Sequence, residues 1–377
     1  MKKAISLALA IFLALSPLAA CGSKSGGDAA ALSNTPGDGF APSVPENAAD
    51  SAAMPEAVPP RQTVVTAYVE IVAPKYDGAG KFTEGLVLVE LNGKRGFIDK
   101  TGAEVIPLTY FNANPFSEGL AWVIEYEGGK LGFIDKTGAV VIPFKYKNAD
   151  PFSEGLAPVS LDGKWGFIDK TDAEIIPFKY DRAFAFSEGL AAVNLDRKLG
   201  FIDKSGAEVV PCKYEAAYPY CEGLAAVKLD GKWGFIDKTG AEVVAHQYEY
   251  AFIFSEGLAI VKLNDKFGYI DKKGAEVIPF KYDNAGSFFS EGLVAAEYDG
   301  KYGCIDKTGA EIIPFKYELA GYCSDGLAPA KLDGKWGFLN TKGEEVVPFK
   351  YDNIIPFSEG MAAVQLDGKW GFIGISE

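Results

Sequence analysis

Histidine is nearly missing from this chain: among 377 residues there is one, His246. A metal site built on several histidines is thereby excluded, and a Ser/His/Asp triad would have to run through that one residue. No serine stands in a G-x-S-x-G elbow, and no glycine-rich loop of the phosphate-cradling kind occurs. Calcium signatures of the D-x-D-x-D-G or G-G-x-G-x-D kind are lacking too, so no metal or other cofactor is expected. No stretch keeps a 3.6-residue apolar period, and helix content should be small. Basic charge is scarce, with 37 Lys and Arg against 51 Asp and Glu and a net charge of −14. That balance argues against nucleic acid as a partner and against a basic patch for anionic lipid, and it suits the solubility of an exported protein. Past the N-terminus, no apolar run reaches the roughly 18 residues that a spanning helix needs.

The N-terminus itself reads as a targeting segment. Lys2 and Lys3 precede an apolar stretch from Ala4 to Leu15, followed by Leu18-Ala19-Ala20-Cys21. This resembles a bacterial lipoprotein signal with its lipobox, which implies cleavage of residues 1–20 and lipid on the Cys21 thiol. An ordinary cleaved signal with an incidental Cys21 is the alternative. Cleavage would take the net charge from −14 to −16, because it removes two lysines and no acids. Several acyl chains on one N-terminus suffice for stable anchoring. Residues 21–62 are rich in Gly, Ser, Ala and Pro with Phe40 as their one aromatic, and should form a flexible tether. The expected location is outside the cytoplasm, anchored to the cell membrane, or to the outer membrane where there are two. Ser23 and Lys24 give no clear inner-membrane retention signal.

Residues 63–377 hold a repeat. A Gly followed by Phe, Tyr or Cys, then Ile or Leu, begins at Gly96, Gly132, Gly166, Gly200, Gly234, Gly268, Gly303, Gly337 and Gly371. The nine copies are 34 to 36 residues apart, a period that points to a stacked array. In Glu154 to Ser187, turn signals separate three apolar runs. Asp162-Gly163 marks a tight hairpin between Gly155–Leu161 and Lys164–Asp169. Asp169 can close an Asx turn before the third run, Glu174–Tyr180, where Pro177 points to an edge strand or to one that ends near the proline. The returning loop could add a fourth, irregular strand. Gly166, between two large residues in mid-strand, suggests a bend or a close backbone approach. Trp165, Trp233, Trp336 and Trp370 recur before this Gly, on the same strand face as the following Phe, and an aromatic ladder between units is expected. Tyr146, Tyr180, Tyr214 and their equivalents also recur, with hydroxyls expected to reach a loop backbone. The Glu of Glu-Gly-Leu, as at Glu154, should cap the incoming loop.

The fold class is therefore all-β, with nine tandem repeats of short antiparallel strands. Tyr68 to Tyr76 matches the third run and the C-terminus stops after the second, so the set is permuted. A closed propeller would use that permutation to share one blade between the termini. Four-stranded blades usually take about 40–45 residues, however, and an open or superhelical β array is the expectation.

KWGFIDKTG at Lys232 to Gly240, with SEGLA upstream and AEVIPFKYD downstream, resembles the bacterial WG-repeat (KWG-repeat) family across Tyr68 to Ile373. The resemblance implies an all-β interaction repeat of envelope and secreted proteins and brings no catalytic residues. Arg95, Leu131 and Leu199 depart from the aromatic, and Gly374 from the Asp. His246 stands where most copies have Phe.

Acidic residues recur once per unit, as at Asp169, Asp203 and Asp237. A catalytic carboxylate pair needs two different environments, and a repeat supplies one environment nine times, so no enzyme is expected. Four cysteines remain after Cys21: Cys212, Cys221, Cys304 and Cys323. In an exported protein, Cys212–Cys221 and Cys304–Cys323 are candidate disulfides, each local to a repeat junction, with isolated buried thiols as the alternative. The leading functional expectation is a lipid-anchored binding scaffold for an unidentified envelope protein. The alternative is cell-wall glycan recognition through the once-per-repeat aromatics Trp165, Trp233, Trp336 and Trp370, which as core residues would instead only pack. An envelope enzyme is the least favoured reading.

Overall fold

The computed structural model describes residues 67–375. The signal segment, Cys21 and the tether lie outside those residues. Within them the chain forms nine separate four-stranded antiparallel sheets. The third sheet comprises Asn148–Ala149, Leu156–Leu161, Lys164–Asp169 and Glu174–Tyr180, in that order across the sheet. We call these the entry, second, third and fourth strands of a blade. The three runs legible in the sequence supply the last three, and the returning loop supplies the entry strand.

Local chemistry explains each turn. Asp162 (φ 49°) and Gly163 (φ 84°) are both left-handed, the twist that a two-residue hairpin needs. A second such turn joins the entry strand to the second: Glu154 (φ 54°) and Gly155 (φ 87°), with Ser153 and Leu156 exchanging backbone bonds of 2.9 and 3.2 Å. The fourth strand is an edge, as Pro177 requires. It bulges, because Trp165 pairs with Tyr180 while Phe167 pairs with Ile176, so the single residue Gly166 on one strand opposes the three residues 177–179 on the other. The bulge presses backbone onto Gly166, where an added Cβ would lie 2.6 Å from the Ile176 carbonyl oxygen. That close approach is why glycine follows the aromatic.

The sheets form a nine-bladed β-propeller, which corrects the expectation of an open or superhelical array. Tyr68–Tyr76 pairs antiparallel with Lys369–Ile375, so one blade is assembled from both ends of the repeat region. The Ser358 hydroxyl donates to the Phe82 carbonyl at 3.0 Å, linking this blade to the first one. No strand ladder joins one sheet to the next among the described residues, and neighbouring blades meet through side chains. Thirty-four residues suffice because the connections are minimal. The entry strand is two residues long in seven blades, and only Asp181 separates Tyr180 of one blade from Arg182 of the next.

The core lies between blades. One cluster joins Trp165, Phe167, Ile176 and Tyr180 of the third blade to Ala183, Phe186, Val193 and Ile202 of the fourth. Phe167 and Phe186 meet at 5.0 Å, and the equivalent pair across the terminal junction, Phe372 and Phe82, at 5.5 Å. Each such fully buried ring contributes on the order of 1.5–3 kcal/mol.

Candidate functional site

The recurrent acids are fasteners. Glu84 accepts the Gly119 N–H of the next blade at 3.0 Å, and Lys136 of that blade reaches the Glu84 carboxylate and carbonyl, each at 3.0 Å. Glu118, Glu154, Glu188, Glu222, Glu256, Glu291, Asp325 and Glu359 accept the corresponding glycine N–H. The sequence reading placed this Glu as a cap on an incoming loop, and its partner is the turn of the neighbouring blade. The bond also accounts for a glutamate in the left-handed region, a conformation that costs a non-glycine residue free energy unless contacts offset it. Asp169 closes the expected Asx turn, accepting from the Thr171 N–H and hydroxyl at 2.8 and 2.7 Å and from the Ala173 N–H at 3.0 Å. The Thr171 hydroxyl, then the Ala173 N–H, hold its carboxyl below the ordinary aspartate value. These carboxylates are engaged by turn N–H groups together with a hydroxyl or a lysine.

The recurrent tyrosines pack across junctions. Tyr146 stacks on Phe178, Tyr248 on Phe280 and Tyr317 on Phe349 at 6.0–6.5 Å. The Tyr146 hydroxyl donates to the Asp172 carboxylate at 2.7 Å, a side chain where a loop backbone was expected.

The aromatic before each Gly does not build a ladder with its counterparts. In the third and fifth blades it is instead enclosed by a residue just past the entry strand of its own blade and the first residue of the next entry strand. In the third blade this triad is Asp150, Trp165 and Arg182: the guanidinium lies 3.9 Å from the Trp165 ring and holds both Asp150 oxygens at 2.8 Å. In the fifth it is Tyr218, Trp233 and Tyr250, with Tyr218 stacked on Trp233 at 5.2 Å and 20°. In the seventh, the Asn284 amide, from that blade's own entry strand, donates to the Tyr302 hydroxyl at 3.1 Å. In the first, Arg95 bonds Asn112 and pairs with Glu90 at 3.0 Å, so the missing aromatic is replaced by a polar link. Trp165 and Trp233 are only 6% and 8% exposed and are core residues; Trp336 and Trp370 are half-buried.

Blade-to-blade differences concentrate at this edge. The position two residues beyond the start of the entry strand is Gly80, Asn114, Asp150, Phe184, Tyr218, Phe252, Gly286, Gly321 and Ile355 around the ring. Three consecutive blades place half-buried rings there, and Tyr218 meets Phe252 edge-on at 4.6 Å. Periodicity does not reveal this row, because its one signal in the sequence is its irregularity.

The other exceptions are substitutions within the packing. His246 stacks on Tyr214 at 6.2 Å in place of Phe; its Nδ1 contacts Glu242 at 2.6 Å and its Nε2 is buried without a hydrogen-bond partner. Cys304 and Cys323 replace the Phe pair of one junction and lie in one core cluster. Both are free thiols, as is Cys212, so neither local disulfide is made in this structure. Burial pushes the Cys304 thiol up to about 12. Cys221 is buried at a position that is Ser in most blades. Gly374 pairs with Val69 in the shared blade.

A family model described as WG containing repeat matches residues 70–94, 96–127, 132–165, 165–198, 200–233, 233–267, 267–302, 302–336 and 336–370. No curated protein matches the chain. Among solved structures, one described as a eukaryotic initiation factor is 11% identical, with a TM-score of 0.54 over 82% of this chain and 92% of that one. PorZ, described as a bacterial surface component of the type-IX secretion system of Porphyromonas gingivalis, is 10% identical with a TM-score of 0.34, over 80% of this chain and 52% of its own. The extracellular domain of the putative one component system BT4673 from B. thetaiotaomicron is 10% identical with a TM-score of 0.33, over the same shares of 80% and 52%. At such identities the likeness concerns fold alone.

Proposed function

This chain belongs to the WG-containing repeat family, and from that premise we propose that it is a non-enzymatic binding module that works outside the cytoplasm, carried on lipid-modified Cys21 by the 21–62 tether. The observation that carries the reading is the division of labour within the repeat. Glutamates, Asx-turn aspartates, glycines and buried rings are nearly constant and hold the blades and their junctions, whereas the entry-strand edge changes from blade to blade. Stacked repeats bind through surfaces of that kind, where a common frame presents different side chains. The lysines of the fasteners are engaged with carboxylates of the neighbouring blade.

The experiment is retention of the purified chain on isolated envelope material. Combined substitution of Phe184, Tyr218 and Phe252 by Ala should abolish retention. Substitution of the exposed outer residues Ile175 and Val243 by Ser should leave it intact. The opposite pattern overturns the proposal. Loss of retention after Cys21→Ser in intact cells, with binding preserved in vitro, supports the lipid anchor; unchanged membrane fractionation refutes it.

A further inference from the structure

We infer that the arc of the entry edge running from Asp150 and Arg182 through Phe184, Tyr218 and Tyr250 to Phe252 binds an uncharged glycan chain. The inference rests on the reading that the entry edge is the binding face.

The rings of this arc are placed for a ligand rather than for the core. The buried row beneath them, Trp165 and Trp233, already fills the junctions, while Phe184, Tyr218, Tyr250 and Phe252 remain half-buried. They are also held in advance. Tyr218 is stacked on Trp233 and meets Phe252 edge-on; Phe184 has the Arg182 guanidinium 5.1 Å from its ring. Rings fixed by packing lose little freedom when a partner arrives, which favours affinity.

The polar groups of the arc define the partner's charge. Arg182 and Asp150 neutralise one another, with both carboxylate oxygens 2.8 Å from one guanidinium nitrogen. Beside the rings stand the Tyr218 and Tyr250 hydroxyls, and Lys262, opposite Tyr250 on the adjoining strand, is itself paired with Asp265 at 2.9 Å. An arc of apolar ring faces beside neutral hydroxyls suits a neutral polyol: sugar C–H faces lie on the rings and sugar hydroxyls exchange bonds with the protein's. An acidic polymer would meet the chain's net charge of −14. An extended peptide would need a strand edge to extend, and here the entry strands are two residues long in the fourth and fifth blades and shifted in register in the sixth. Phe184, Tyr218 and Phe252 set one ring at the same position of three successive blades, which matches a ligand built of repeating units.

The test is titration of the full chain with hexamers of N-acetylglucosamine, glucose and mannose, read by calorimetry and by tryptophan fluorescence, because Trp233 lies directly under Tyr218. Saturable binding to at least one hexamer is expected. Tyr218→Ala and Phe252→Ala should each weaken it about tenfold or more, equivalent to about 1.4 kcal/mol. Tyr218→Phe keeps the ring and should stay within about threefold of the parent, which separates ring loss from misfolding. Ile355→Ala, at the equivalent position in another blade, should have no effect. Absence of binding to all three hexamers, with envelope retention still sensitive to Tyr218→Ala, overturns the glycan assignment and leaves the binding face standing. Envelope retention insensitive to Phe184, Tyr218 and Phe252 together overturns both.

Discussion

The Glu359 carboxylate accepts the Gly85 N–H at 3.0 Å, across 274 residues of chain. Eight other carboxylates make the same bond to the next blade in sequence, and this one joins the last blade to the first. Lys100 completes the match by pairing with Glu359 at 3.3 Å, as Lys136 does with Glu84. A contact between sequence ends thus has the same chemistry as a contact between neighbours, which is how a ring of equivalent junctions differs from an array with two free ends.

Closure makes the terminal junction as consequential as an internal one. Glu359→Ala and Glu154→Ala should lower stability by similar amounts, about 1 kcal/mol each for a partly exposed charge-assisted bond. Paired thermal or urea denaturation measures both. An inert Glu359→Ala beside a destabilising Glu154→Ala would contradict a closed ring. Deleting the chain through Tyr76 should cost far more, because it strips the partner strand from Lys369–Ile375 and uncovers Phe372.

Gly166→Ala should destabilise strongly. Its Cβ would sit 2.6 Å from the Ile176 oxygen and 3.0 Å from the Phe178 nitrogen, both backbone atoms that cannot turn aside. A cost of about 1–3 kcal/mol or more is expected from such overpacking. Gly163→Ala, with nothing within 4 Å but a φ of 84°, tests the separate effect of backbone strain. Equal melting temperatures for Gly166→Ala and the parent would refute the close-approach account.

His246→Phe should stabilise the protein. It restores the ring that stacks on the preceding tyrosine in neighbouring junctions and removes a buried Nε2 without a partner. A gain of about 0.5–2 kcal/mol is expected for a substitution of this class. Comparison of denaturation midpoints decides it, and a loss of stability would assign His246 a role that stacking does not cover.

Acid should loosen the molecule in a defined window. Asp99, Asp135, Asp169, Asp203, Asp237 and Asp306 are held below the ordinary value first by the neighbouring Thr or Ser hydroxyl. A carboxyl depressed in the folded state stabilises it fully above the unfolded value of about 3.9, and that contribution is lost as pH falls through the folded value. Melting temperature should therefore be flat from about pH 6 to 5 and decline below about pH 4. A melting temperature that rose on acidification would contradict the turn assignments.

Three of the four strands, the Asx turn at Asp169, the edge strand at Pro177 and the close approach at Gly166 were legible in the sequence, because each rests on contacts within one unit or on a backbone constraint of the residue itself. The entry strand was not: Asn148–Ala149 has no apolar alternation of its own and is defined only by pairing with Ser160 and Val159. The roles of Trp165 and Trp233 were open to two readings for the same reason. Periodicity places a ring on a strand face, but only the neighbouring blade decides whether that face is covered.

The sequence by itself determined the unit, its count and its fastening residues, since a 34-residue period with fixed Gly, Asp and Pro leaves little freedom within a blade. Ring against array was decided by tertiary structure alone. Closure depends on the small rotation between blades summed around the whole circuit, and on whether Tyr68–Tyr76 then meets Lys369–Ile375, and neither quantity is written in any single repeat. The same packing settled which aromatics are core and which stay half-exposed at the entry edge.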